Sequence, residues 1–171
     1  MYSDYRDYLC AIADELGCEF RFHNHTVHGM MYVEFGYVEG PEPYKTSNPQ
    51  TCFAVGLHEL GHFYHGHTQS RPPMEHLRHY FDNGVLRSEA EAWEFALEHF
   101  EKRGEVIYRS TRDFMWNVCL GSYYRGYLSA NGGIDQLWNG SRHHIPFRYD
   151  EPDEYFWRIK SAILGEVMLN A

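Results

Sequence analysis

Apolar positions in the first third of the chain change period twice. From about Tyr2 to Leu16 they recur at helical spacing, with Leu9, Ile12, Ala13 and Leu16 on one side, and Gly17 stops the pattern. Cys18-Glu19-Phe20-Arg21-Phe22 then alternates, which predicts a strand. Met30 to Val38 is rich in β-formers and predicts a second strand, ended by Gly40-Pro41-Glu42-Pro43. Asn48-Pro49 punctuates the entry to an apolar run from Thr51 to Leu57, able to bury one side of a helix.

Further on, Arg71-Pro72-Pro73 and Asp82-Asn83-Gly84 mark turns around a short helix from Met74 to Phe81. Arg87 to Phe100 is strongly helical by propensity. Ala92, Trp93, Ala96, Leu97 and Phe100 form its apolar stripe, while Glu91, Glu94, Glu98, Glu101 and Lys102 read as a solvated face. Thr111 to Ala130 predicts a long helix with Ser110 or Thr111 as its cap, buried through Phe114, Val118, Tyr124 and Leu128 and broken by Asn131-Gly132-Gly133. After an irregular stretch from Ile134 to Asp150, a last helix from about Pro152 to Met168 carries Phe156, Ile159, Ile163 and Val167 on one stripe.

The chemistry is concentrated in His58-Glu59-Leu60-Gly61-His62. On a helix the two histidines lie one turn apart on one face, so both imidazoles can reach a single zinc ion. Glu59 sits beside the first ligand, placed to take a proton from water that the metal activates. This is the H-E-x-x-H signature of zinc peptidases. Two histidines bracketing a glutamate on an apolar helix need a polar partner such as a metal. Small Gly61 lets another element approach the helix backbone.

A hydrolytic zinc takes three protein ligands and keeps one position for water. The extended H-E-x-x-H-x-x-G-x-x-H pattern does not fit, because glycine falls at Gly66 and histidine at His67, each off by one position. His65 and His67 are placed at the exposed end of the helix, with His67 as a minor alternative ligand. The second helix offers Glu89 and Glu91, which point to nearly opposite sides. Glu89 falls within the apolar stripe, where a carboxylate needs a partner, and Glu91 falls on the solvated face. Glu89 is therefore the expected third ligand. A capping box with Ser88 as N-cap and Glu91 at N3 would account for Glu89 without metal, as a first-turn acid.

Together the two segments resemble the ImmA/IrrE family of zinc-dependent metallopeptidases, which is similar to the gluzincins. The family's second motif, approximately E-x-E-A-N-x-F-A, is matched by Glu89-Ala90-Glu91-Ala92-Trp93-Glu94-Phe95-Ala96, with Trp93 in place of the usual Asn. The resemblance covers roughly Met31 to Phe100; from Gly104 to Ala171 no pattern is recognised. It implies an α+β, zincin-like fold, with a small twisted sheet packed on the active-site helix and additional C-terminal helices. It also implies Zn2+ held by His58, His62 and Glu89, Glu59 as general base, and a protein or peptide substrate such as a transcriptional repressor. An edge strand beside the metal would pair with extended substrate, and Met30 to Val38 is the candidate. The oxyanion donor is left open among His143, His144, Tyr80, Tyr123 and Tyr124. The family also implies a competing reading, a metal-stabilised regulatory or binding protein that does not cut.

A chain of 171 residues suits one domain over residues 1–171. It has no apolar run long enough to span a bilayer. Its polar, acidic start is not a signal peptide, and the widely spaced Cys10, Cys18, Cys52 and Cys119 fit a reducing cytoplasm rather than a cysteine zinc site. A formal net charge of −9 without a basic stripe argues against direct nucleic-acid binding. Aromatic residues, 17% of the chain and many of them tyrosine, suit either a protein-binding face or an aromatic core.

Overall fold

Every residue from Gln50 to His62 is buried, so the helix that carries them is wrapped on all sides. The structure is a computed structural model that describes residues 4–24, 30–32, 35–66, 83–132 and 152–169. The elements in chain order are α1 (Tyr5–Leu16), β1 (Glu19–His23), β2 (Met30–Tyr32), β3 (Tyr37–Pro41), α2 (Pro49–Tyr64), α3 (Asn83–Arg103), α4 (Arg109–Phe114), α5 (Gly121–Gly132) and α6 (Glu154–Leu164). A 3-10 turn spans Pro43–Lys45, and a π-helical stretch, Met115–Leu120, joins α4 to α5. This is a mostly helical α+β arrangement, with α1, α3, α4 and a small sheet packed on α2, and with α5 and α6 packed on α3.

Helix α2 starts where Asn48-Pro49 predicts. The Asn48 side chain accepts a hydrogen bond from the Thr51 amide at 3.2 Å, and Pro49 occupies the first turn, where no amide donor is needed. Helix α1 is capped by Asp4 and ends at Gly17, whose φ of 74° is the left-handed conformation that glycine adopts without strain. Leu9, Ile12 and Ala13 are buried as expected, and Leu16 is half-buried.

The sheet has the order β1-β3-β2, with β1 and β3 parallel and β2 antiparallel to β3. The single strand expected from Met30 to Val38 is therefore two strands. Gly36 takes φ 68° and reverses the chain, so Tyr37 pairs back onto Tyr32. Strand β3 runs through Gly40 and ends at Pro41, inside the Gly40-Pro41-Glu42-Pro43 stretch expected to end it. Of the proposed substrate-pairing segment, only Met30–Tyr32 is an edge strand; Tyr37–Pro41 is central.

Helix α3 starts at Asn83, earlier than expected, which removes the capping box: Ser88 lies inside the helix and Glu91 pairs with Arg87 at 2.7 Å. The stripe of Glu89, Ala92, Trp93, Ala96, Leu97 and Phe100 is buried. The opposite face is not wholly solvated. Glu94 accepts hydrogen bonds from the Tyr155 hydroxyl and from Arg158 Nη2 of α6. Helix α6 thus covers part of the expected polar face.

The long helix expected from Thr111 to Ala130 starts at Arg109, and Thr111 is no cap: it is buried, with its hydroxyl 3.1 Å from that of Thr51. The π-helical stretch adds backbone to the turn and shifts the stripe. Met115 and Leu120 are fully buried, whereas Val118 is 50% exposed. Helix α6 buries Phe156, Ile159 and Ile163 but ends at Gly165, φ 77°, leaving Val167 outside the helix and exposed. No helix among the described residues is long and apolar enough to cross a membrane. The expected helix at Met74 to Phe81 and the irregular stretch from Ile134 to Asp150 lie outside the described residues.

Candidate metal centre

Gly61 brings α2 and α3 together. A Cβ at this position would lie 2.8 Å from the Ala92 carbonyl oxygen and 2.9 Å from its Cα, so only glycine allows the two backbones this approach. Ala92 is one turn past Glu89, and Gly61 immediately precedes His62. The contact therefore seats Glu89 over the two histidines.

Three side chains close a small triangle. His58 Nε2 and His62 Nε2 are 3.0 Å apart, Glu89 Oε2 is 3.2 Å from His58 Nε2, and Glu89 Oε1 is 3.4 Å from His62 Nε2. Ligands about 2.0–2.1 Å from a tetrahedral metal would be separated by about 3.3 Å. The observed edges bracket that value, and the group could hold a metal ion. It is the only such cluster of His, Cys, Asp and Glu among the described residues. The cysteines take no part: all four are free thiols.

The electrostatics call for a cation. Burial by itself would raise the Glu89 pKa, but the charge on His62 and hydrogen bonds from both histidines outweigh it and hold the carboxyl well below its usual range. Burial would lower the His62 pKa, yet the charge and hydrogen bond of Glu89, with the charge of Glu59, raise it. Glu89 thus favours the protonated, cationic form of His62 in the metal-free chain, at the place that a metal would fill.

Glu59 differs from Glu89. It too is buried, but burial and the nearby negative charge of Glu89 prevail over the pull of His62, and its pKa is pushed up to about 7. Its Oε2 has no hydrogen-bond partner among the described residues. A buried acceptor without a donor is costly, and water or a metal beside it would relieve that cost. The residue types, the spacing and this orphaned oxygen all fit a zinc site with a neighbouring base.

The surrounding residues sort the other candidates. His65 is exposed at the end of α2, as expected, and His67 lies outside the described residues. Tyr124 packs its ring against Phe156 and Trp157, 5.5 and 5.2 Å away between centroids, a core position. Tyr123 is half-buried against the core. Tyr80, His143 and His144 lie outside the described residues. Two neighbours were not legible beforehand. Trp93 stacks on His58, with centroids 4.2 Å apart. The half-buried Cys119 thiol is pushed up to about 12 by burial and by the charges of Glu89 and Glu59. Trp93 was legible as a member of the apolar stripe and as a departure from a family pattern, but not as a neighbour of His58, and a lone cysteine in the unrecognised C-terminal third gave no signal at all.

Comparison with protein-family models, with curated proteins and with solved structures finds no match for this chain.

Proposed function

We propose that this chain is a zinc-dependent metallopeptidase of gluzincin type, similar to the ImmA/IrrE family, acting on a peptide bond in a protein substrate. The observation that carries the reading is the buried His58–His62–Glu89 triangle, with a Glu59 oxygen beside it that has no partner among the described residues. His58, His62 and Glu89 would hold the zinc. When bound, zinc supplies Lewis acidity, which makes water a better nucleophile near neutral pH and polarises the scissile carbonyl. Glu59 then accepts the proton of the attacking water and delivers it to the leaving amine, a task suited to a carboxyl whose pKa lies near neutrality. Met30–Tyr32 lies at one edge of the sheet among the described residues, a position from which a strand can pair with an extended peptide. The two α2 residues on either side of the base–ligand step are fixed in one rigid helix, which keeps Glu59 in register with His58 and His62.

The test is to load the full chain with zinc and digest a peptide library with wild type, Glu59→Gln and His62→Ala. Wild type should cleave. Glu59→Gln should keep zinc but not cleave, and His62→Ala should lose both. Turnover by Glu59→Gln equal to that of wild type would remove Glu59 as the base.

One observation favours a second reading. His58, His62 and Glu89 are each only 7% exposed, a degree of closure that suits a metal-stabilised regulatory or binding protein. On that reading zinc raises the melting temperature and no peptide in the library is cut.

A further inference from the structure

Trp93 lies one turn beyond Glu89 on the same helix and is completely buried. Its ring stacks on the His58 imidazole with centroids 4.2 Å apart and planes 27° from parallel. His62 meets His58 edge to face, with centroids 4.5 Å apart and planes at 77°. The lone pair of an imidazole nitrogen lies in the ring plane. Whatever fixes that plane therefore decides where Nε2 points. Metal-bound histidines commonly owe their orientation to a hydrogen bond on the other ring nitrogen. Here a flat aromatic wall lies against one face of the ring. Trp93 Nε1 has no hydrogen-bond partner among the described residues, so the indole acts through its face and its packing rather than through its N–H.

We infer that Trp93 is a positioning residue, whose indole face holds the plane of His58 so that Nε2 is aimed at the point shared with His62 and Glu89. The inference deepens the metal-site reading and rests on it. One helix then supplies both a ligand, Glu89, and the wall that orients another, so α3 arrives with two parts of the site at once.

The discriminating pair is Trp93→Phe, which keeps a flat face, and Trp93→Leu, which fills space without one. Zn2+ affinity is measured on the full chain by competition with a chromophoric chelator, and the visible absorption of bound Co2+ reports ligand geometry. Trp93→Phe should bind Zn2+ within about threefold of wild type with the Co2+ bands unmoved, and Trp93→Leu should bind at least about tenfold more weakly with shifted bands. Equal affinities and identical bands for the two variants overturn the positioning role while leaving the metal site intact. A wild-type chain that binds neither ion overturns the site reading, and this inference with it. A second readout needs no disruptive variant. Co2+ should quench a component of tryptophan emission that Trp93→Phe removes, and quenching that is the same in both proteins also overturns the inference.

Discussion

Gly61 and Ala92 touch where helices α2 and α3 cross, and a single methyl group at position 61 would come 2.8 Å from the Ala92 carbonyl oxygen. Two effects oppose each other in Gly61→Ala. Helix propensity favours alanine by about 1 kcal/mol, whereas overpacking against a backbone costs about 1–3 kcal/mol. We expect a net loss of up to about 2 kcal/mol, seen as a fall of up to roughly 8 °C in the thermal midpoint. Because the same contact seats Glu89, zinc affinity should fall as well. A variant as stable and as tight-binding as wild type would show that the helices can part without cost.

Glu89 and Glu91 are separated by what they face. Glu89 meets both histidines, and Glu91 pairs with Arg87 on a partly exposed surface. Glu89→Ala should abolish stoichiometric zinc measured by elemental analysis. Glu91→Ala should keep it and lose no more than about 1 kcal/mol of stability, the usual limit for an exposed ion pair. Unchanged zinc content in Glu89→Ala would refute the assignment of the third ligand.

Glu59 gives a prediction with a definite sign in pH. Its folded-state pKa of about 7 lies above the ordinary value of 4.5, chiefly through burial. The metal-free folded chain therefore holds this proton more tightly than the unfolded chain, and stability falls as pH rises between the two values. Glu59→Gln removes the charge that must be buried. It should raise the metal-free thermal midpoint by about 3 °C or more at pH 8 and by much less at pH 5. A larger gain at pH 5 than at pH 8 would contradict the burial argument.

His62 predicts how zinc competes with protons. Although burial opposes it, Glu89 raises the His62 pKa above the ordinary 6.5 and so favours the protonated imidazole in the metal-free site. Zinc requires the neutral imidazole, so binding should release protons near pH 7, and affinity should weaken as pH falls through the His62 titration. Calorimetry in two buffers of different ionisation enthalpy measures the release directly. Binding heats that do not depend on the buffer would show that His62 carries no such proton.

Arg112 ties the C-terminal helix to the rest. Its Nη1 donates to the Ala162 and Ile163 carbonyls, at 2.9 and 2.8 Å, where α6 ends. The Ala162 carbonyl also accepts from the Gly165 amide that caps the helix, and a cation at a helix C-terminus is favoured by the dipole. Arg112→Ala should cost about 1.5–3 kcal/mol, with far-ultraviolet circular dichroism and urea melts as the measure. Loss of less than about 0.5 kcal/mol would mean that water serves those carbonyls equally well.

Much of this arrangement could be read from residue order because it rests on local physics. Asn48-Pro49 and Gly17 mark helix ends through capping geometry. The spacing of His58 and His62 puts their side chains on one face, and the place of Glu89 in the apolar stripe points it inward; neither depends on the distant chain. The sequence alone thus determined which three side chains could share an ion. The structure decided the rest, through backbone conformations that the pattern does not encode and through approaches between residues far apart in the chain. Gly36 turned one expected strand into two by adopting a conformation that its neighbours do not announce. Helix α6 covered Glu94 on a face that its own periodicity marked as solvated. The π-helical stretch shifted the stripe of Val118, since an added residue per turn leaves no trace in a pattern read at ordinary helical period. The stacking of Trp93 on His58 exists only once Gly61 has let two backbones meet.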